Sequence, residues 1–388
     1  MTNDRAGKYI TQLSGYKAFI PNSLPPNPPI KYDEHLQFLL SEADRTLSRL
    51  DGAALILPNP DLFIAMYTKK EALLSSQIEG TQASLEGVLA FEADLTPNED
   101  INEIKEVVNY VKAMNYGMSR LKENDFPMSL RLIREIHNLL LKGVRGASRR
   151  PGEFRRSQNW IGPPGSTINE AIFIPPPHHM LNELMSELEK FIHRKDNIPP
   201  LVKTGLIHAH FETIHPFLDG NGRIGRLLIT FYLYWRGILG HPLLYLSIYL
   251  KKQRERYYDY LMRIRTEGDW EEWLKFFLQG VVDVSEEAAY SVKEIIGLKD
   301  KLTDELFTKK VGGAHAVKLL DILFERPLIR ISDIETQLKI SRQTATNLVN
   351  KFNKIGILRE ISGKKRYRKY LFDDYMKIIA KGTEIRPG

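Results

Sequence analysis

The chain has 388 residues, 43% hydrophobic and 27% charged, which is enough for two or more globular domains, and no apolar run approaches the ~20 residues that span a bilayer, so a membrane-spanning protein is excluded. The polar start from Met1 to Lys8 has no apolar signal region behind it, and zero cysteines exclude disulfides, thiolate nucleophiles and zinc–cysteine sites, which together predict a cytoplasmic protein. The net charge of +7 sits in the C-terminal fifth: Gly313 to Gly388 carries 16 Lys or Arg against 8 Asp or Glu, leaving 39 against 40 for the first 312 residues, so only that last part has the electrostatic footprint of a nucleic-acid binder.

The first punctuation is Pro21 to Pro29, where five prolines in nine residues impose an extended course over the surface of the helical body. From Asp33 the apolar positions Leu36, Leu40, Ala43, Leu47 and Leu50 recur at helical spacing. Pro60 stands where a first-turn proline is tolerated, and the helix it opens is predicted to run through Leu73 and Leu74 toward Gly80. Amphipathic helices are also predicted from near Asn102, Ser129, His179 and Pro200, and again after Gly222 and Asp269. Phe154 to Pro177 interrupts them: Trp160 and Ile161, then Phe173 and Ile174, flank Gly162, Pro163, Pro164 and Gly165 and predict a short β-hairpin flap. No internal repeat or low-complexity tract is present.

After a boundary at Lys309 to Gly313 the pattern changes. A helix from Ala314 to Phe324 precedes Pro327, Ser332 and Glu335 form a capping box, and Ser341 caps a longer helix that ends at Gly356. Ile357 to Ile361 and Tyr367 to Phe372 read as strands joined by Ser362-Gly363-Lys364-Lys365-Arg366. Helix, short turn, helix and a basic hairpin predict a winged helix-turn-helix. The fold class is therefore mainly α, a helical bundle with a short β-hairpin flap plus this C-terminal module. The expected division is 1–100 with the Pro-rich segment, 101–300 as the helical body and 313–380 as the winged helix.

The stretch from His215 to Arg226, His-Pro-Phe-Leu-Asp-Gly-Asn-Gly-Arg-Ile-Gly-Arg, packs an imidazole, a carboxylate, a glycine-flanked turn and two arginines into twelve residues. Its glycines let backbone N–H groups converge, and the helix after the turn points its positive end into the same space, which makes a phosphate cradle. Arg223 and Arg226, three apart, share a helix face and can hold phosphate oxygens. Asp219 is a hard oxygen ligand suited to Mg²⁺ shared with phosphate. His215, with a reference pKa near ~6.5, can take a proton at neutral pH. These parts describe phosphoryl or nucleotidyl transfer.

The segment resembles the signature of Fic-domain proteins, HPFx[DE]GNGRxxR, at every specified position, and the surrounding helices, flap and C-terminal module extend the resemblance over most of the chain. The resemblance implies a Fic-type helical bundle and a protein adenylyltransferase (AMPylator) that moves AMP from ATP to a Tyr, Ser or Thr hydroxyl of a protein target or of itself. On that pattern His215 is the catalytic base, Asp219 holds Mg²⁺, and ATP is bound by Gly220, Asn221, Gly222, Arg223, Ile224, Gly225 and Arg226, with Arg226 on the γ-phosphate. Phe217 anchors the loop in the core. Gln253 and Tyr258 fall where the family builds its adenosine pocket, although Thr266 stands where Asn is frequent. Gly222 argues against the phosphotransferring relatives, which carry lysine there.

Ser75-Ser76-Gln77-Ile78-Glu79-Gly80 resembles the family's inhibitory motif [ST]xxxE[GN], N-terminal to the domain as in its class II members. The implied logic is charge competition: Glu79 pairs with Arg226 and keeps it from the γ-phosphate, with Ser75 opening the same inhibitory motif. The flap is implied to hold target peptide as an added strand, the alternative being a hairpin that only covers the core. His208 and His210 read as packed or hydrogen-bonded, with no spacing that recommends zinc. In the C-terminal module Arg342, Gln343, Thr344 and Asn347 are placed to reach base edges, and Lys364, Lys365, Arg366, Arg368 and Lys369 to face phosphate; protein contact is the alternative use of such a module. The competing reading of the whole chain is a DNA-binding regulator that uses the Fic body as a nucleotide sensor. Relatives also imply a homodimer, which composition does not show.

Overall fold

The computed structural model describes residues 5–55, 60–93, 96–97, 99–123, 126–163, 165–363 and 368–384. The chain opens with an antiparallel pair, β1 (Gly7–Thr11) and β2 (Lys17–Pro21), in register Gly7 to Pro21 and closed by a turn in which Gln12 and Tyr16 bond through their backbones. The proline segment beyond β2 is extended and held down by Arg5, which donates to the carbonyls of Pro28 and Pro29 and pairs with Glu271. Helices α1 (Glu34–Leu55) and α2 (Pro60–Ile78) then form as the apolar spacing requires, and α2 stops two residues before Gly80, whose φ of +98° only glycine adopts readily. Next come α3 (Leu85–Glu92), α4 (Ile101–Lys122, capped by Asp100), α5 (Leu130–Leu140, capped by Ser129) and α6 (Leu181–His193).

At the centre lie α7 (Pro200–Ile214) and α8 (Asn221–Trp235). Residues 201–214 of α7 are all buried, so this helix is enclosed on every side and does not show the single apolar face expected of an amphipathic helix. Helices α9 (Ser247–Lys252), α10 (Arg254–Glu267) and the long α11 (Trp270–Thr308, capped by Asp269) complete the body. Helix α11 lies along α1 and α7 and runs unbroken past residue 300 to the C-terminal unit.

That unit comprises α12 (Gly313–Glu325), β3 (Leu328–Arg330), α13 (Ile331–Leu338), α14 (Arg342–Lys354), β4 (Arg359–Glu360), β5 (Lys369–Leu371) and α15 (Asp373–Ile379), with sheet order β3-β5-β4, all antiparallel. The tail returns to the body: Gln77 Nε2 donates to Thr383 O and Lys251 Nζ to Glu384 O.

Further details differ from the sequence expectation. The first helix of the predicted turn is capped two residues earlier: Arg330 N–H donates to Asp333 Oδ2 and the box is Arg330 with Asp333, because β3 runs directly into α13 and leaves Ser332 inside the helix. The flap is two extended segments joined by a single bridge, Ile161 to Phe173, with a 3₁₀ turn at Ile168–Glu170 between them; its prolines deny the backbone further ladder bonds. The second predicted strand of the C-terminal unit begins at Lys369, and Lys364, Lys365 and Arg366 lie outside the described residues.

Gly117 of α4 is the contact point of α4 on α8: a Cβ there would overlap the ring of Phe231, whereas Gly52 on the exposed side of α1 has nothing within 4 Å. Gly117→Ala is therefore expected to destabilise by ~1–3 kcal/mol through overpacking, and Gly52→Ala to stabilise by ~0.5–1 kcal/mol through helix propensity. Shifts of the urea midpoint in opposite directions check the pair; equal shifts would contradict this packing.

Candidate functional site

The loop between α7 and α8 is a tight turn joining two buried helices. His215 caps α7 in the left-handed conformation (φ 49°), and Gly220 caps α8 with φ 78°. Phe217 is fully buried and stacks on His137, ring centroids 3.7 Å apart, so it anchors the loop as its apolar character demands. Asn221 clamps the same turn twice: Phe217 N–H donates to Asn221 Oδ1 (2.9 Å) and Asn221 Nδ2 donates to Phe217 O (2.8 Å). Gly152 N–H donates to His137 Nδ1, which leaves Nε2 protonated and donating to Asp219 O at 2.9 Å. Arg155 Nε donates to His215 O and its Nη2 to Pro176 O, tying the loop to the base of the flap. His137, Arg155 and Asn159, which bonds Phe217 O, carry no local sequence signal; only the turn they brace is legible in the chain.

A cavity of about 510 Å³ opens over this loop. His215, Glu212, Gly222 and Arg226 form its floor, Glu79 one side, the flap residues Trp160, Ile161, Ile172 and Phe173 another, and Arg254, Tyr257, Tyr258 and Arg265 of α10 the third. Arg226 is buried and fully engaged: Nε donates to Ser75 Oγ (2.7 Å), and Nη2 to Ser75 O (2.9 Å) and Glu79 Oε1 (2.8 Å). Burial works against ionised Glu79, but the charge and hydrogen bond of Arg226, with Arg223 and His215 adding, hold its carboxyl below the usual range. A Cβ at Gly222 would overlap Glu79 Oε1, so the carboxylate occupies the hollow that this glycine leaves at the N-terminus of α8. A helix start with unsatisfied N–H groups is a seat for an anion, and here an internal carboxylate fills it.

Arg223 turns away from the cavity and lies fully buried between Asp219 Oδ1 (3.1 Å) and Glu106 Oε2 (3.6 Å). Asp219 is partly exposed and keeps a second oxygen beside Gly146. Ile224 is in the apolar core, and Gly225 gives room to Glu212 and a carbonyl to His208, so the side-chain positions of both lie behind the cavity wall. The amide of Asn221 is engaged with both backbone groups of Phe217 and so shapes the turn. Gln253 caps α10 and lines a neighbouring groove with Gln77 and Gly80, while Tyr258 does line the cavity. The structure thus gathers His215, Gly222, Arg226, Glu79 and Tyr258 around one space.

Burial first, and then the positive charges of Arg155 and Arg265, push the His215 imidazole down to about 3, so it is neutral at physiological pH with a free lone pair. Burial likewise lowers His208 and His210 to about 4. His208 donates through Nδ1 to Gly225 O and accepts from Tyr257 OH through Nε2, so it is a packing residue as expected. Among the described residues no group of three or more His, Cys, Asp or Glu could hold a metal by protein ligands alone. One carboxylate at Asp219, beside an anion cradle, still fits Mg²⁺, which is usually held by one or two carboxylates with substrate phosphates and water. In the C-terminal unit Arg342, Gln343, Thr344 and Asn347 lie on α14 within its first two turns, with Arg342, Gln343 and Thr344 exposed and Gln343 Nε2 donating to Asn347 Oδ1. No helix among the described residues is long and apolar enough to cross a membrane.

Comparison with known proteins gives three family matches: Fic/DOC family N-terminal over residues 38–119, Fic/DOC family over 127–233, and the protein adenylyltransferase SoFic-like C-terminal domain over 302–371. The protein adenylyltransferase Fic of Aedes aegypti is 33% identical over 182 residues, which are 46% of this chain and 32% of that one, and its Culex quinquefasciatus counterpart is 32% identical over the same shares. The chain thus spans about a third of the length of these curated relatives. A Fic family protein from Desulfovibrio desulfuricans superposes with TM-score 0.57 at 22% identity, covering 89% of this chain and 97% of that one. Fic-1 from C. elegans gives TM-score 0.51 at 21% identity, covering 68% and 74%. At these identities the structures establish the helical fold.

Proposed function

We propose that this chain, which belongs to the Fic/DOC family, is a protein adenylyltransferase that transfers AMP from ATP to a hydroxyl of a protein, itself included, and that Glu79 restrains it. The observation that carries this reading is the convergence on one cavity of a neutral histidine, a glycine-hollowed helix N-terminus and a buried arginine. A triphosphate laid along the start of α8 would meet the N–H groups of the first turn and Gly222, with its terminal phosphate on Arg226. His215 would accept the proton of a target Tyr, Ser or Thr hydroxyl while that oxygen bonds to the α-phosphorus and pyrophosphate leaves. Asp219 would hold Mg²⁺, which supplies charge neutralisation on the phosphates. Tyr258 would pack on the adenosine. The flap residues Trp160 and Ile172, which are exposed, would receive an extended target segment.

Glu79 supports the autoinhibitory part of the reading because it already occupies the seat that the terminal phosphate requires, paired with the same guanidinium. A buried arginine needs one anionic partner, and the two candidates exclude each other. Self-labelling with α-labelled ATP tests this: Glu79→Gly is expected to raise incorporation above wild type, and adding His215→Ala to lower it by ~10²–10⁴-fold. Labelling unchanged by the first substitution removes the restraint, and labelling that survives the second removes the base.

The exposed polar start of α14 and the basic balance of Gly313 to Gly388 favour a second use, DNA contact by a winged helix formed by the C-terminal unit, with the body reporting nucleotide occupancy. Full-length protein is expected to retard duplex DNA at low salt and lose it steeply as salt rises; no retardation at low salt assigns that face to protein contact.

A further inference from the structure

We propose that Glu212 is a positioning residue for His215: its carboxylate takes up the Nδ1–H of the imidazole, fixes the tautomer with the Nε2 lone pair toward the incoming hydroxyl, and balances the imidazolium that forms. The proposal rests on the adenylyl-transfer reading above. Glu212 lies on the last turn of α7, three residues before the left-handed cap His215, with Oε2 3.9 Å from Nδ1. Glu212 Oε1 and His215 Nδ1 are both buried and both lack a hydrogen-bond partner. Buried polar atoms without partners are rare and costly; Oε1 lies in the hollow at Gly225, and Oε2 is the carboxylate oxygen turned toward Nδ1.

The surroundings keep the carboxylate there. A Cβ at Gly225 would overlap Glu212 Oε1, so α8 is hollowed at that point to admit it. Arg265 donates to Glu212 O and Thr213 Oγ1 and thereby fixes the turn from which both side chains project. Charged and titratable groups facing Glu212 are Arg226 of α8, Arg265, Tyr257 and Tyr258 of α10, and Glu79 beyond the end of α2. Arg155 and Arg265 face His215 and oppose its protonation, while the backbone carbonyl of Glu212 and then Glu79 favour it. Once a terminal phosphate displaces Glu79 from Arg226, Glu212 is the carboxylate left to offset those two arginines. In the transfer step the target oxygen bonds to the α-phosphorus, the bond to the bridging oxygen breaks, pyrophosphate leaves with the electron pair, and the hydroxyl proton goes to His215 Nε2 while Nδ1–H remains on Glu212.

Burial raises the Glu212 carboxyl to about 7, with Glu79 adding to the shift and Arg226 and Arg265 opposing it. His215, at about 3, contributes no limb to a rate profile near neutrality. With Glu212 acting as its ionised form, the rate of the Glu79→Gly protein, in which the upward push of Glu79 is gone, rises with pH as Glu212 ionises and then levels by neutrality. Adding Glu212→Gln, which keeps shape and removes charge, is expected to lower kcat by about 10- to 100-fold, part of what a general base supplies, to leave KM for ATP within about 2-fold, and to abolish that limb; Glu212→Asp restores part of the rate. The same limb and rate in Glu212→Gln overturn the proposal while leaving adenylyl transfer intact. An inactive Glu79→Gly protein strikes the underlying function instead, and the tautomer then decides: ¹⁵N spectra of full-length wild-type protein are expected to show His215 protonated at Nδ1, shifted in Glu212→Gln, and a ring protonated at Nε2 overturns the proposal on its own.

Discussion

The ion pair of Arg226 with Glu79, buttressed by Ser75, is the constraint on which the rest of this structure turns. A guanidinium buried in the middle of a helical body must have an anionic partner, because removing the partner leaves an uncompensated charge whose cost is far larger than the net worth of the pair. Arg226 is anchored by three hydrogen bonds to the end of α2, remote in sequence, so the position of α2 and the state of the cavity are one variable. The partner that holds it is only partly buried and sits just past the last turn of α2, before a glycine in the left-handed region. On the proposed reading an anion arriving from solvent exchanges with Glu79, while Arg226 itself stays paired.

The remainder of the body serves to present the loop that Arg226 overlooks. Helices α7 and α8 are buried on nearly every face, and the turn between them has little freedom: Phe217 is wedged against His137, Asn221 bonds both backbone groups of Phe217, and Arg155 holds the carbonyl of His215. The positive φ at His215 breaks the helical course of α7, and its ring lines the cavity. Rigidity of this kind is what electrostatic preorganisation needs, since groups already oriented cost no reorganisation when charge develops.

Much of this is legible in the chain. Spacing places α1, α2, α4, α5, α7 and α8 because their apolar positions and caps are local signals, and the twelve-residue motif identifies the loop, the candidate base and the arginine outright. Resemblance supplies Glu79, and the geometry gives it a seat that sequence cannot display, the hollow above Gly222. Contacts between distant segments stay hidden. His137, Arg155 and Glu106 have no local pattern, and their roles appear only when the fold brings them to the loop. Helical spacing gives Arg223 a face but not its neighbours, and the contacts of Arg223 with Glu106 and of Asn221 with Phe217 appear only in the fold. The N-terminal pair β1 and β2 escapes a reading by pattern because two five-residue strands around a short turn carry little periodicity.

The most direct measurement is a crystal structure of the Glu79→Gly protein soaked with ATP and magnesium. The expected result is the terminal phosphate on Arg226, now parted from the end of α2, with the α-phosphorus facing the His215 ring across the start of α8. Phosphates bound elsewhere, with the guanidinium still turned to Ser75 and the hollow at Gly222 empty, would contradict the exchange of anions at Arg226.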